Sequence, residues 1–529
     1  MKTKMMVLLL ITTMLLMSVS TGFALNEEDT IKVYYNGELL EFDVDPQVVN
    51  GRTMVPISTI FKALELEVDW DANLKKVTAK RSGLNIQLFI GSDETTVNGG
   101  KVKIDSSAYI VNGRTMVPLR FIAESTGAQV NWDASTRSVM IQTSDNSYNA
   151  DESSKTSTSL DLTYKIVDTG VEKYYTNSKT VSSISEGQAY YGQDAHYDGY
   201  QPDYSDNGDG TVTDNVTGLM WQQTMDAKMT YSEALKYAND NTLGGYNDWR
   251  IPNIKELFSL IQFTGSSSGE AADELYIDTD YFDQPIGDTS IGEREIDAQV
   301  WSSTEYVGKT MHADETIFGV NFVDGRIKGY GATNPRTRTD NTAYYRLVRG
   351  NESYGDNIFV DNGDGTISDL ATGLMWQMAD DGQTRDWEDA LEYAENLELA
   401  GHNDWRLPNV KELQSIVDYS KSLQTTNTPA IDDLFVLSEI KDPDGDRNYG
   451  FYWSSTTHQD GRNLSDSASY VAFGEAQGEM HGQLLDVHGC GAVRSDPKSG
   501  NASNYPDYFG PQGDVRYVYN YVLTVRDIN

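Results

Sequence analysis

The 529-residue sequence has a single cysteine, Cys490, so no disulfide can form within the chain. Basic residues are also scarce: 41 lysines and arginines stand against 80 aspartates and glutamates, and the formal net charge is -39. A surface this acidic repels phosphate backbones, which makes nucleic acid a poor partner. Anionic polysaccharide is disfavoured as well, unless a local basic patch exists. Calcium, cationic groups and neutral sugars remain open as ligands.

Long apolar runs are lacking beyond the N-terminus. Met5–Met17 is mainly apolar, two lysines precede it, and the small residues Gly22 and Ala24 follow it. This order is typical of a secretory signal peptide, to which we assign residues 1–24. Because no later run reaches the ~18 apolar residues that a membrane helix needs, we expect no transmembrane span. The sequence therefore predicts a secreted protein, extracellular or associated with the cell wall.

The N-terminal part of the chain contains an internal duplication. Asn50–Pro56 and Asn112–Pro118 both read Asn-Gly-Arg-Thr-Met-Val-Pro, and Asp69–Asp71 returns as Asn131–Asp133 at the same offset. Each copy is predicted to form a strand, an Asn-Gly turn, a short helix and a tryptophan-bearing hairpin.

These segments resemble the copper amine oxidase N-terminal domain, over residues 27–143. The resemblance implies a small two-repeat α/β stalk module, an accessory domain of secreted proteins that is often implicated in envelope association. An amine oxidase needs a tyrosine-derived quinone and three histidines on copper. The sequence has six histidines in all, with no pair at metal-ligand spacing in this module, so we expect no copper. The polar residues 144–158 lack periodicity and are predicted to be a linker.

A larger duplication fills the rest of the chain. Three segments of the first copy recur in the second, in the same order: Asp206–Gln222 and Asp361–Gln377, Asn247–Leu257 and Asn403–Leu413, and Trp301–Thr304 and Trp453–Thr456. Capping signals predict two early helices in each copy, followed by strands. We place the two copies at residues 159–350 and 351–529.

The shared motifs are Asn-Gly-Asp-Gly-Thr, Thr-Gly-Leu-Met-Trp, Asp-Trp-Arg-x-Pro-Asn-x-Lys-Glu-Leu, Trp-Ser-Ser-Thr and a closing Val-Arg. This set is similar to the Lcl C-terminal domain family, which is associated with bacterial adhesins and grouped with C-type-lectin-like folds. The resemblance implies paired terminal strands, two helices beside them and a long loop region for ligands. The predicted class is therefore α+β: a small two-repeat α/β stalk module plus two tandem C-type-lectin-like domains.

Two acidic turns are candidates for calcium binding, because hard cations prefer carboxylate and carbonyl oxygens. The candidate ligands are Asp206, Asp209, Asp214, Asp361, Asp364 and Asp369. The EF-hand pattern fails, since glycines occupy two of its ligand positions. The favoured alternative is a tight hairpin turn, in which Asn-Gly and Asp-Gly supply positive φ angles.

Aromatic and basic residues recur at fixed positions in both copies. The tryptophans are Trp221, Trp249 and Trp301 with their partners Trp376, Trp405 and Trp453; the arginines are Arg250 and Arg349 with Arg406 and Arg526. We predict that the tryptophans form the core and that the arginines form internal ion pairs. The lone Cys490 is predicted to be a small buried residue.

The leading functional hypothesis is a non-enzymatic surface protein that binds an extracellular ligand, such as a carbohydrate or a cell-envelope polymer. The first alternative is an enzyme, because the Trp-Arg-Leu-Pro segment resembles sulfatase-modifying oxidases. Those enzymes rely on cysteine chemistry, and Cys490 lies in one copy alone, so we predict no enzymatic activity. The second alternative is a purely structural envelope spacer.

Overall fold

The computed structural model describes residues 31–142 with short gaps, and residues 162–528 apart from 312–314 and 335–336. Strands take up 38% of the chain and helices 12%, so the fold is β-rich, with more strand than the α+β label conveys. The predicted signal peptide and linker lie outside the described residues. Among the residues described, no helix has the length and apolar character needed to cross a membrane.

Internal contacts divide the chain into two compact units: Met1–Asp93 with Ile104–Ser154, and Glu94–Lys103 with Lys155–Asn529. The strands described up to residue 142 are β1 Lys32–Tyr35, β2 Glu38–Leu39, β3 Gln47–Val49, β4 Arg52–Pro56, β5 Glu67–Asp71, β6 Lys76–Arg81, β7 Leu84–Phe89, β8 Glu94–Val97, β9 Gly100–Lys103, β10 Tyr109–Val111, β11 Arg114–Pro118, β12 Gln129–Asp133 and β13 Ser138–Gln142. The helices of this region are α1 Ile57–Ala63 and α2 Leu119–Glu124.

The repeated heptapeptide forms the same strand-to-helix element twice in the first unit. Strands β4 and β11 pair antiparallel, with Val55 opposite Val117. Each strand runs directly into its helix at a proline, Pro56 or Pro118. A proline is tolerated there because the first N–H groups of a helix have no intrahelical acceptor. Val55 and Val117 are fully buried, so the repeated residues build the core of this unit.

The second unit contains both copies of the larger duplication. The strands of the first copy are β14 Tyr174–Tyr175, β15 Thr180–Val181, β16 Tyr204–Asp206, β17 Thr211–Asp214, β18 Leu219–Gln222, β19 Met229–Thr230, β20 Ser266–Ser268, β21 Ala271–Glu274, β22 Gln299–Glu305, β23 Thr316–Asn321, β24 Arg326–Gly331, β25 Thr342–Tyr345 and β26 Val348–Gly350. Those of the second copy are β27 Phe359–Asp361, β28 Thr366–Asp369, β29 Leu374–Gln377, β30 Glu439–Lys441, β31 Arg447–Tyr449, β32 Phe451–Thr457, β33 Ser467–Ala472, β34 Gln477–Met480, β35 Gln483–Asp486, β36 Val493–Pro497, β37 Tyr508–Phe509, β38 Asp514–Val515 and β39 Val525–Asp527. The helices are α3 Tyr231–Asn239 and α4 Ile254–Ser259, then α5 Trp387–Glu395 and α6 Val410–Ser415.

Each copy contains a unit of three antiparallel strands, β16–β18 or β27–β29, whose third strand pairs with the last strand of the copy. Strand β26 pairs with β18, and β39 pairs with β29 in the same register: Trp221 lies opposite Val348, and Trp376 opposite Val525. Both tryptophans are fully buried. The two copies therefore share one topology at their ends.

An eight-stranded sheet joins the two copies, in the order β19-β25-β22-β23-β24-β36-β33-β32. Strand β24 of the first copy pairs antiparallel with β36 of the second at Ile327 and Val493. Within the copies, Val320 pairs with Ile327 and Val471 pairs with Val493. Ile327 and Val493 thus occupy equivalent positions, and the copies meet about an approximate two-fold axis there.

One face of this sheet carries a core that runs without interruption through both copies. Ile327 and Val493 belong to it, together with Leu257 of α4 and Leu413 of α6. All four side chains are almost entirely buried. Since burying one large aliphatic side chain contributes about 1.5–3 kcal/mol, this shared core binds the copies into one folding unit.

Two equivalent lysines of the repeated Lys-Glu-Leu motif reach from one copy into the other. The Lys255 Nζ donates to the carbonyl of Ser415 at 2.6 Å, and the Lys411 Nζ donates to the carbonyls of Ser259 and Asp168 at 2.9 Å. Burial lowers the pKa of both lysines to about 8. The repeated lysines therefore act as reciprocal links between the copies.

A buried carboxyl group lies at the same junction. Asp194 Oδ2 accepts hydrogen bonds from Thr169 Oγ1 at 2.8 Å and from Thr456 Oγ1, in the second copy, at 2.6 Å. Asp194 is 4% exposed, and its burial raises its pKa to about 7. The neutral form is therefore stabilised in the folded protein.

We predict that Lys411→Met lowers the free energy of unfolding of the full chain by about 1–3 kcal/mol, because two buried carbonyls lose their donor. Urea denaturation measures this change. The matched control is Lys236→Met, at an exposed lysine on α3, for which we expect no change. Equal stability of the two variants would contradict the linking role of Lys411.

We predict that Asp194→Asn gains stability relative to the native chain as pH rises from about 4 to about 7. The raised pKa means that protonated Asp194 contributes stability at low pH, and that this contribution is lost as pH rises through the folded value. Because the folded-state pKa of about 7 lies well above that of a free carboxyl group, we expect a relative gain on the order of a few kcal/mol. Urea denaturation of both proteins across this range is the measurement, and a pH-independent difference would show that Asp194 is ionised in the fold.

Candidate functional site

A cleft of about 870 Å³ opens on the other face of the eight-stranded sheet, within the second unit. On this face each copy has its own core. Trp301 packs with α3 in the first copy, and Trp453 packs with α5 in the second. The strands between these two cores, β24 and β36, form the floor of the cleft.

Strand alternation determines which side chains the floor presents. On β24, Ile327 belongs to the shared core, so its neighbours Arg326 and Lys328 lie on the cleft face. On β36, Val493 belongs to that core and Arg494 lies on the cleft face. Because Ile327 and Val493 are equivalent in register, Lys328 and Arg494 are equivalent cations on either side of the junction.

Carboxylates surround these cations. Asp324 Oδ2 lies 3.2 Å from both the Arg326 Nη1 and the Lys328 Nζ. Arg326 also pairs with Asp460, which comes from the second copy. The floor of the cleft is therefore held together by ion pairs that cross from one copy to the other.

A second ion-pair group lies beside the first. Asp514 pairs with Arg494, and its Oδ1 lies 2.8 Å from the Nε2 of His488. Burial lowers the pKa of His488 to about 4, so the ring is neutral at pH 7. Burial alone would raise the pKa of Asp514, but Arg494 and His488 outweigh it and hold the pKa well below its usual range. The cleft thus contains ionised carboxylates and arginines in fixed pairs.

Some polar atoms of the floor have no hydrogen-bond partner among the described residues. They are the Oδ1 of Asp324, the Nε of Arg326 and the Nη1 of Arg494. Asp324 is fully buried, with 0% of its surface exposed. All three atoms have almost no accessible surface, so they belong to the packed ion pairs beneath the cleft and do not face its open space.

Aromatic rings stand at one side of the cleft, in the loop region before the last strand of the second copy. Tyr505 and Phe509 both line the cleft. The guanidinium of Arg516 lies 4.1 Å from the centre of the Phe509 ring, an arrangement that orders both side chains. Phe509 is nevertheless 55% exposed, so most of the ring is open to contact.

Charges in the lining are nearly balanced, in contrast with the chain as a whole. Seven basic residues line the cleft: Lys228, Arg294, Arg326, Lys328, Arg462, Arg494 and Arg516. Eight acidic residues do so as well: Glu270, Glu293, Asp297, Asp324, Asp460, Asp466, Asp496 and Asp514. Burial raises the pKa of Asp496 to about 6, which reduces the negative charge slightly below that pH. The cleft is a local exception to the acidity of the chain.

The predicted calcium ligands lie away from this cleft, in the hairpin turns. Asp206 accepts a hydrogen bond from the N–H of Gly208, and Asp209 accepts two from Thr211. The second copy repeats this pattern: Asp361 accepts from Gly363, and Asp364 accepts two bonds from Thr366. All four carboxylates therefore serve as turn acceptors, as the alternative interpretation of the sequence predicts.

The other two candidate ligands are buried at the ends of strands. Asp214 Oδ1 accepts from the N–H groups of Val216 and Thr217, and Asp369 Oδ1 accepts from those of Ile358 and Ala371. Among the described residues, no group of three or more His, Cys, Asp or Glu side chains could hold a metal ion. Calcium at these turns stays an untested candidate, and the tight hairpin turn stays the favoured alternative.

The recurring tryptophans are core residues, as predicted. Their exposure ranges from 0% to 4%, for Trp221, Trp249, Trp301, Trp376, Trp405 and Trp453. Trp301 reaches the edge of the cleft but is only 1% exposed. Cys490 is fully buried and hydrogen-bonded to Tyr306, which confirms the prediction for this residue.

The recurring arginines form internal ion pairs, again as predicted. Arg250 binds Glu256 and Arg406 binds Glu412 through two hydrogen bonds each. Arg349 binds Asp248, and Arg526 binds Asp404 in the same way. The first two pairs lie within the second-helix segment of each copy, and the other two join the last strand of each copy to that segment.

Sequence reasoning missed the residues that form the cleft. Arg326, Lys328 and Arg494 belong to no repeated motif, and more than 160 positions separate Arg326 from Arg494 along the chain. Only the pairing of β24 with β36 brings them together. The sequence did contain one sign of this site, the segment Arg-Ile-Lys in an otherwise acidic chain. If this segment is a strand, its two cations lie on the same face.

The second unit is thus β-rich, and it joins two copies of one domain beside a cleft of mixed charge. The family comparison gives these parts their names. Residues 34–141 match the copper amine oxidase N-terminal domain, and residues 210–349 and 365–488 match the Lcl C-terminal domain. The chain therefore carries one copper amine oxidase N-terminal domain followed by two tandem Lcl C-terminal domains. No curated protein matches it at a significant level.

We expect that calcium does not raise the melting temperature of the full chain, because the turn carboxylates already accept backbone hydrogen bonds. Differential scanning calorimetry with and without calcium is the measurement, since a ligand confined to the folded form raises the melting temperature. An increase that Asp209→Asn and Asp364→Asn abolish would establish the calcium sites and contradict this expectation.

Proposed function

We propose that the protein is a secreted or cell-surface, non-enzymatic protein that binds an extracellular ligand in the cleft between its two Lcl C-terminal domains. The observation that carries this proposal is the cleft of about 870 Å³, which charged side chains of both copies line and which the exposed ring of Phe509 borders. Ligand sites are typically concave and contain a few convergent polar groups of this kind.

The arrangement of strands supports a C-type-lectin-like fold for each copy. In both, the last strand pairs with the third strand of the unit β16–β18 or β27–β29, and the helices precede the long strands. Such folds leave a long loop region free for ligands. In the second copy the loop region that contains Tyr505 and Phe509 borders the cleft.

The chemistry of Cys490 favours binding over an oxidase-like activity. The side chain is fully buried, and burial raises the pKa of its thiol well above the usual range. Asp486 raises it further. A reactive cysteine needs the opposite, a lowered pKa and access to solvent.

The first unit is proposed to hold the protein at the envelope. Its match to the copper amine oxidase N-terminal domain supports this role. In this arrangement the fused Lcl domains present one shared cleft. Because residues of both copies line this cleft, a ligand bound in it contacts both copies.

A variant that fills the cleft tests this proposal. Thr342 is an exposed residue at the start of β25 and lines the cleft. We predict that Thr342→Trp weakens retention of the full chain on isolated cell envelopes and on mammalian cell monolayers by about tenfold or more, which corresponds to at least about 1.4 kcal/mol. Surface plasmon resonance or a quantitative pull-down measures the retention.

The matched control is Thr180→Trp, an exposed threonine on β15 outside the cleft. It should be retained like the native chain. Equal retention of all three proteins would place the binding surface elsewhere and contradict the proposal. Failure of the native chain to bind either surface would favour the spacer alternative.

A further inference from the structure

We infer that Lys255 and Asn357 form an isopeptide bond within the chain, in which the lysine Nζ replaces the side-chain amide nitrogen of the asparagine and ammonia leaves. The bond joins helix α4 of the first copy to the segment that precedes β27 of the second. Neither residue lines the cleft, so the bond does not depend on the proposed function.

The two reacting groups are already in contact. The Lys255 Nζ donates a hydrogen bond to the Oδ1 of Asn357 at 2.9 Å, and the carbonyls of Gly355 and Ser415 hold the same nitrogen in place. Because a carbonyl bond is about 1.2 Å long, the Cγ of Asn357 lies within about 4.1 Å of the Nζ. A further approach of about 1 Å gives a near-attack geometry, and a pair held this way reacts as if in one molecule.

Burial makes Lys255 a nucleophile at neutral pH. It lowers the pKa of this lysine to about 8, although nearby carboxylates, Asp356 foremost, oppose the change. About one chain in ten therefore has a neutral amine at pH 7, against fewer than about one in a thousand for an ordinary lysine. A neutral, desolvated amine is the attacking form of lysine. Because the reaction occurs once per chain, this fraction is sufficient.

A buried carboxylate is placed to move the protons of the reaction. The Nδ2 of Asn357 donates to the Oδ2 of Asp369 at 2.8 Å and to the hydroxyl oxygen of Tyr164 at 3.1 Å. Asp369 is fully buried, and it lies near enough to Lys255 to influence the pKa of the lysine.

The reaction then balances without any added reagent. The bond from Nζ to Cγ forms, and the bond from Cγ to Nδ2 breaks. Asp369 accepts the proton that the Nζ loses and passes it to the leaving Nδ2, as a general base and then a general acid. Ammonia leaves, Asp369 returns to its initial state, and an amide replaces an amide.

A small cavity beside the amine offers space for the leaving group. Tyr164, Lys255 and Ser415 are among the residues that line it, and its volume is about 10 Å³. A cavity of this size is about large enough for one water molecule. Ammonia is of similar size, so it can leave the carbonyl carbon without displacing the surrounding core.

The equivalent position in the other copy has the same amine and carboxylate but lacks the carboxamide. Lys411 is the equivalent lysine, with a pKa that burial also lowers to about 8, and Asp214 is the equivalent carboxylate. Where the second copy has Asn357, the first has Pro202. Lys411 donates to backbone carbonyls instead. The chain therefore contains its own matched control, a buried lysine with no electrophile.

Such a bond would act as a permanent cross-link between the copies. Lys255 and Asn357 are 102 positions apart, so the bond closes a long loop of the unfolded chain. A cross-link over a long loop stabilises the folded state by restricting the unfolded one. Unlike a disulfide it withstands reduction, and the single cysteine of this chain allows no internal disulfide.

Mass spectrometry of the full native chain tests the inference. Once the N-terminal residue has been determined, we expect the denatured protein to be lighter than its sequence by one ammonia molecule. We also expect trypsin to leave Lys255 uncleaved and to release a branched peptide that joins residues 251–294 to residues 350–385. A mass equal to that of the sequence would overturn the inference. Loss of ammonia without the branched peptide would overturn it too, because cyclisation of an asparagine elsewhere gives the same mass.

Two variants remove the reacting groups, and one serves as their control. Lys255→Met and Asn357→Ser should both have the mass calculated from their sequences and give only linear peptides. Lys411→Met removes the equivalent buried lysine and should keep the ammonia loss and the branched peptide. Circular dichroism verifies that each variant is folded. Ammonia loss that persists in Lys255→Met, or a branched peptide that disappears from folded Lys411→Met, would contradict the assignment.

Discussion

The pairing of β24 with β36 is the constraint on which the rest of the second unit depends. Ile327 and Val493 are equivalent residues of the two copies, and they meet directly in one antiparallel sheet. This contact makes the core on one face of the sheet continuous through both copies. On the other face, the core around α3 and the core around α5 stay separate. The cleft is the space between them. A single strand pairing therefore produces both the shared stability and the candidate site.

Repeated residues and divergent residues have different roles in this architecture. The shared tryptophans, arginines and lysines maintain the shape: they fill cores, form internal ion pairs and link the copies. Their recurrence allowed the sequence to predict the duplicated elements and the internal roles of the tryptophans and arginines. The same recurrence could not predict the cleft, because Arg326 and Arg494 have no common motif and come together through a strand pairing between copies. Pairing between distant strands leaves little trace in local patterns.

The balance of acidic and basic residues differs between the cleft and the chain as a whole. The formal charge of -39 indicates an acidic surface, yet the cleft collects seven basic residues beside eight acidic ones. Overall composition makes nucleic acid a poor partner and disfavours polyanions, and the cations of the cleft floor are already paired with carboxylates. What composition could not show was which charges would pair across the two copies, since this follows from geometry alone.

The central claim is that the ligand lies across the junction of the two copies. Hydrogen–deuterium exchange of the full chain, free and bound to the surface that retains it, tests this most directly. We expect the amides of Arg326–Gly331 and Val493–Pro497 to exchange more slowly in the bound state, together with the amides around Phe509. Slower exchange confined to one copy, or to the hairpin turns remote from the cleft, would contradict it.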